Sequence, residues 1–314
     1  LFCGYNCCND FPYHKEITMR AVSAEPLNPA ARRLAPLAVI AVGLVVVLSA
    51  WAPWRSRTYL GAVQAIGGGT VQAYVTFRAD GAPAAVGVRL SAGALEELPR
   101  AKNTHSRCFD LDADGTHTGH ECIGDEERVF ELPAGLWRDG RIPFKWITVN
   151  WNPEGHPAPY ARPHFDFHFF AWDRERVEAI RPGRCGELVD CDAFERASRP
   201  LPPRYLPSGH IDVGAVVPRM GNHLLDSRSP EMADSLTPFT RTFIYGAFEG
   251  ELIFWEPMIT RDLLRRATDE CFEIRQPQAF RRTGYYPTRY CMRREAQSGA
   301  RTVSLEGFVY AEGS

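Results

Sequence analysis

Two short stretches of the chain hold residues whose types and spacing can do chemistry. The first is DLDADGTHTGHE, Asp110 to Glu121. Asp110, Asp112 and Asp114 take loop positions one, three and five, Gly115 supplies the turn at six, Thr116 offers a carbonyl at seven, and Glu121 stands at twelve. Alternate carboxylates closed by a bidentate glutamate deliver the roughly six to eight oxygens that hard Ca2+ takes, so the spacing predicts a calcium loop. His117 stands where an apolar residue usually packs, and the outgoing IGDEERVFELPAG is a poor helix. The expectation is a helix-free calcium loop rather than an EF-hand pair, with a solvated acidic turn as the plain alternative.

The second stretch is PHFDFHFF. On a strand, His164, Asp166 and His168 point to one face and Phe165, Phe167 and Phe169 to the other. The aromatics anchor a core, and the opposite face is competent to hold a metal. Same-face neighbours lie about 7 Å apart, so one ion reaches both His164 and His168 only if the strand twists or a third ligand bridges them. Candidates for that ligand are His223 in RMGNHLLD, Glu256 in FWEPM and His156 in NPEGH. Imidazole with a carboxylate suits Zn2+ or another divalent transition metal, with a position left for water. The alternative is a hydrogen-bonded His-Asp-His cluster that orders loops. No GxSxG, HExxH or Gly-rich phosphate loop accompanies these residues, so Ser and Cys nucleophiles have no local support.

The elements that must position both stretches read as strands. With 24 prolines, 26 glycines and 11% aromatic residues, the composition favours short strands and ordered loops over long helices. The expected fold is mainly β, antiparallel sheets forming a sandwich or barrel with a few short helices. A meander covers TYLGAVQAIGGGTVQAYVTFRADGAPAAVGVRL, strands cover FKWITVNW and HFDFHFFAW, and TRTFIYGAFEGELIFWEP is a hairpin turning near Glu249 and Gly250. Short helices are expected in SAGALEEL after Ser91, in DRERVEAI after Asp173 and in TRDLLRRA after Thr260. Trp146, Trp151, Trp172 and Trp255 read as packing residues.

Residues 1–18 lack a period and precede the first methionine, Met19, which suggests a non-native leader. Residues 19–52 carry Arg32 and Arg33 ahead of the uncharged Leu34 to Trp51, a signal peptide or membrane anchor that places one β-rich domain, residues 55–314, outside the cytoplasm. That domain holds six cysteines, an even number suited to an oxidising compartment. Their grouping predicts three local bridges: Cys108 with Cys122, Cys185 with Cys191, and Cys271 with Cys291. A formal charge of −2 leaves no basic footprint for nucleic acid.

The ordered set ITVNWNPEGH, PHFDFHFF, VPRMGNHLLD, FIYGAFEGELIFWEPMIT, GYYPTRY and VSLEGF, from about Tyr59 onward, resembles a family of secreted bacterial proteins of unknown function. Its best-known member belongs to an extracytoplasmic sigma-factor and anti-sigma regulon. The resemblance implies an envelope or secreted β-rich domain, homo-oligomeric and stress-related, with His156, His164, Asp166, His168, His223 and Glu256 inside the shared motifs. The Asp-rich loop and the cysteines look like additions to it. Two functions stay open: an envelope protein that binds a divalent metal or small ligand, and a metal-dependent hydrolase or lyase.

Overall fold

The structure is a computed structural model that describes residues 56–103, 105–117, 121–186 and 188–314. The expected leader and the apolar stretch Leu34 to Trp51 lie outside the described residues. The chain opens on the meander β1 (Arg57–Ile66), β2 (Gly69–Phe77) and β3 (Pro83–Leu90). It continues through β4 (Glu126–Glu131), β5 (Trp146–Asn152), β6 (His164–Phe170) and β7 (Pro182–Cys185). Next come β8 (His210–Val217), β9 (Gly221–Asp226), β10 (Arg241–Phe248) and β11 (Glu251–Thr260). Five strands follow: β12 (Asp269–Glu273), β13 (Gly284–Tyr286), β14 (Arg289–Arg294), β15 (Arg301–Glu306) and β16 (Val309–Ala311).

All of these strands but β7 build a six-stranded sheet ordered β1-β2-β3-β15-β14-β12 and a seven-stranded sheet ordered β4-β5-β6-β11-β10-β9-β8, both antiparallel, with β13 and β16 as a separate pair. One apolar core takes Val71, Val86, Val88 and Val303 from the first sheet and Val149, Phe165, Phe167, Tyr245 and Trp255 from the second. Neither sheet closes into a barrel, and the arrangement is that of a β sandwich. Close packing at the middle of the six-stranded sheet depends on Gly87: a Cβ there would lie 2.4 Å from the Val303 carbonyl oxygen.

Among the described residues four short α-helices decorate the strands: α1 (Arg174–Glu178), α2 (Cys191–Ala197), α3 (Pro230–Ala233) and α4 (Arg261–Arg266). Thr260 caps α4 as expected, its hydroxyl accepting from the Leu263 N–H at 3.4 Å. Two other expected caps are spent elsewhere. Ser91 precedes only a turn of 3-10 helix, and its oxygen accepts from the Thr70 N–H across the meander at 2.8 Å. Asp173 precedes α1 but takes the Lys145 ammonium at 2.7 Å. The outgoing segment after the Asp-rich loop is a strand, β4, on the edge of the seven-stranded sheet.

All three expected bridges form, Cys108 with Cys122, Cys185 with Cys191, and Cys271 with Cys291. Three disulfides suit an oxidising compartment. Among the described residues no helix is long and apolar enough to cross a membrane.

Candidate metal centre

An antiparallel sheet commonly packs one face on the core and solvates the other. The centre of the seven-stranded sheet departs from this rule, because every residue of β5 and β6 is buried. The inner face of β6 is Phe165, Phe167 and Phe169; the outer face is His164, Asp166, His168 and Phe170. Two apolar patches roof the ends of that outer face. At one, Trp146 stacks on Phe170 at 3.8 Å beside Val177 of α1 and Ala193 of α2. At the other, Tyr160 and Phe239 from connecting segments pack on Ile244 and Met258. The histidines and carboxylates lie between the two.

Strand register decides which of them meet. Pairing of Trp255 with Phe169 and Met258 with Asp166 sets Glu256 of β11 opposite His168, and pairing of Gly246 with His223 brings β9 alongside through β10. The six sequence candidates therefore divide into two trios, each with donor atoms within 4.8 Å of one another: His168, His223 and Glu256 in one, His156, His164 and Asp166 in the other. His164 and His168 fall in different trios, which separates the set of His164, His168 and His223 expected around a single ion. Four residues along a strand span about 13 Å, too far for one small ion.

In the first trio His168 Nε2 lies 3.3 Å from Glu256 Oε1, and His223 Nε2 lies 3.9 Å from Glu256 Oε2. The far nitrogens are held from behind. His223 Nδ1 donates to the Ala215 carbonyl at 3.0 Å, and His168 Nδ1 shares a 3.0 Å hydrogen bond with the Thr148 hydroxyl. A carbonyl only accepts, so the Nδ1–H of His223 leaves the lone pair of a neutral ring on Nε2, facing the carboxylate. Burial lowers the pKa of His168 far below the usual imidazole value and that of His223 to about 4, and raises that of Glu256 well above the carboxylate range, with the charge on Asp166 adding to the rise. His168 Nε2 and Glu256 Oε2 are buried without a hydrogen-bond partner.

The second trio is organised similarly. His164 Nδ1 donates to the Arg162 carbonyl at 2.6 Å, and its Nε2 lies 3.0 Å from Asp166 Oδ1. Despite that separation neither atom makes a hydrogen bond. The other carboxylate oxygen, Asp166 Oδ2, accepts from Asn152 Nδ2 at 2.6 Å and is hydrogen-bonded to His156 Nε2 at 3.0 Å. Burial works against charge on Asp166, but His164 and His156 beside it hold its carboxyl well below the usual range. Imidazoles held through one nitrogen, and in the second trio a carboxylate oriented by an amide, follow the outer-shell pattern of metal ligands.

Several supporting residues escape a reading of motifs alone. Thr148, Asn150 and Asn152 of β5 lie opposite His168, Asp166 and His164. The alternation that flags HFDFHFF is present in WITVNWN and is the signal that finds them. Arg107 carries no such signal. Its buried guanidinium pairs with Asp125 at 3.0 Å and Glu127 at 3.3 Å, and Asn150 donates to both carboxylates.

The Asp-rich loop follows Arg107 closely in sequence. Asp110, Asp112 and Glu121 bring oxygens within 4.8 Å of one another. Asp114 is not in that group: its Oδ1 accepts from the Thr116 N–H at 2.8 Å and the Thr116 hydroxyl at 2.7 Å, bonds that lower its pKa. Asp110 accepts from the N–H groups of Asp114 and Gly115. Glu121 is buried and accepts from the Leu111 N–H at 2.8 Å. The chain matches no known family, no characterised protein and no solved structure.

Proposed function

We propose that this is an extracytoplasmic protein that holds a divalent transition metal between His168, His223 and Glu256. One observation carries the reading: two buried donors, His168 Nε2 and Glu256 Oε2, face each other's side chains with no hydrogen-bond partner, inside rings and strands that fix their direction. An orphaned buried polar atom costs about 1 to 3 kcal/mol, and a cation bound between them offsets that cost. Two imidazoles and one carboxylate suit Zn2+, or Fe2+ among redox-active ions.

His168 and Glu256 are each 1% exposed, which favours an ion held in place over one that turns over substrate. We therefore favour an envelope or secreted stress-related protein, as the resemblance implies, over a metal-dependent hydrolase or lyase. Exposed Tyr59, Leu60 and Val63 on the edge strand β1 support homo-oligomer formation. The Asp-rich loop supplies a candidate Ca2+ site through Asp110, Asp112 and Glu121. Elemental analysis of the purified chain after growth in supplemented medium tests the metal reading. A tightly held ion that is lost in His223→Ala and Glu256→Gln is expected; wild-type protein without stoichiometric metal overturns it.

A further inference from the structure

The second trio differs from the first in one respect that bears on exchange. His164 and Asp166 are buried, with side chains 0% and 5% exposed, but the His156 side chain is 37% exposed. His156 comes from the segment between β5 and β6, not from the sheet, and that segment turns back at Gly155, where the left-handed φ of +76° excludes a side chain that would strike the Tyr160 carbonyl.

The chemistry of the buried pair is specific. His164 Nδ1 donates to a carbonyl, so Nε2 is the nitrogen left to face Asp166, whose Oδ1 stands 3.0 Å away. Two acceptors at that distance repel unless a proton or a cation lies between them. Both atoms are buried and bonded to nothing else, so a cation can stand where a proton otherwise would. His156 completes the group: one donor atom each of His156, His164 and Asp166 lie within 4.8 Å of one another.

We infer that His156, His164 and Asp166 form a second divalent-metal site, exchangeable with solvent, in which His156 trades its hydrogen bond to Asp166 for a bond to the ion. The inference rests on the reading of the histidine face as metal-binding, but on different residues from the closed trio. Two ligands come from β6 and are fixed; the third comes from a connecting segment and is wetted. Such a site takes first-row divalent ions that accept imidazole and carboxylate, Zn2+ and Co2+ among them, and releases them when His156 withdraws. Asn152 keeps Asp166 oriented through Oδ2 whether or not the ion is bound.

Equilibrium dialysis of the full chain against Zn2+, followed by a chelator chase with a chromogenic dye, separates the two sites. Wild-type protein is expected to bind two ions and to surrender one at least tenfold faster than the other. His156→Ala, at a partly exposed loop position, should lose the fast ion and keep the slow one; Asp166→Asn should do the same, with circular dichroism and a thermal melt confirming the fold. Glu256→Gln should lose the slow ion and keep the fast one. One ion in wild-type protein, unaltered in His156→Ala, overturns the second site and leaves the closed one standing. One ion lost in His156→Ala and retained in Glu256→Gln supports the second site and removes the closed one. No ion in wild-type protein overturns both, and leaves a hydrogen-bonded His-Asp-His cluster.

Discussion

The two faces of β6 are made from one seven-residue stretch and are equally buried, yet they are held in opposite ways. The inner face, Phe165, Phe167 and Phe169, is non-directional packing: each ring is 0% exposed and belongs to the core shared by the two sheets. The outer face, His164, Asp166 and His168, is directional and incomplete, with Nε2 of both histidines and Oδ1 of Asp166 left without hydrogen bonds. An apolar face gains from burial alone, whereas a polar face gains only when every donor and acceptor is matched. The inner face stabilises the sandwich by packing alone, whereas the outer face leaves donors and acceptors that only a further partner would match.

That contrast can be broken at several strengths. Phe167→Ala should destabilise the protein by about 3 to 5 kcal/mol in denaturant unfolding, by the same amount with and without Zn2+, because it leaves a cavity on the face that no ion touches. A Zn2+-dependent loss there would mean that the faces are coupled. Wild-type protein in Zn2+ at a hundredfold excess over its Kd should gain about 2.7 kcal/mol per site in the same measurement, and Glu256→Gln should forfeit the closed site's share. Replacing His168 and Glu256 together by Leu should abolish the slow ion and leave the metal-free protein as stable as wild type or more so by about 1 to 4 kcal/mol, since an unmatched polar pair is exchanged for packing. Marked destabilisation of that double variant would show the pair to be structurally self-sufficient.

The Asp-rich loop should respond more weakly. At ten times a millimolar-range Kd, Ca2+ should add about 1.4 kcal/mol, with Mg2+ adding much less, and Glu121→Ala should abolish the shift in the thermal melt. No heat of Ca2+ binding in calorimetry would leave an acidic turn closed by its own backbone bonds. The smallest effect lies outside both faces. The Arg89 guanidinium and the Ser298 hydroxyl lower the pKa of Glu295 to about 2. A carboxylate depressed on folding contributes stability above its unfolded value, and that contribution is lost as pH falls from about 4.5 toward 2. With both partners more than a third exposed, solvent screening holds the contribution below about 1 kcal/mol. Arg89→Ala should flatten this part of the acid titration of stability and leave metal binding unchanged.

Much of this was legible in the residues. The period of two in HFDFHFF assigns its two faces because strand geometry allows no other reading, and cysteines six to twenty positions apart pair locally because short loops close readily. Division of the histidines into two trios was not legible, because it depends on which residue of β11 stands opposite which residue of β6. A slip by one position would carry Glu256 to the inner face. The caps failed at Ser91 and Asp173 for a related reason: a partner distant in sequence, Thr70 N–H or Lys145, took the oxygen that local spacing assigns to the helix. Arg107 joins Asp125 and Glu127 across a disulfide-closed excursion, and nothing in its neighbours announces that it is buried.

The pairing of β3 with β15 bears on the order of events during synthesis. Gly87 stands against Ser304 and Val86 against Leu305, so a strand made early and a strand made more than two hundred residues later are neighbours in the middle of the six-stranded sheet. The meander pairs strands that are close in sequence, but β3 has its other neighbour in β15, and β14 and β12 join the meander only through β15. Until β15 is in place, the edge of β3, whose Val86, Val88 and Leu90 belong to the finished core, lacks its partner. Pairings between residues so distant in sequence close slowly, so refolding of this sandwich is expected to be slow, and a helper that masks a β-strand edge is expected to find one at β3.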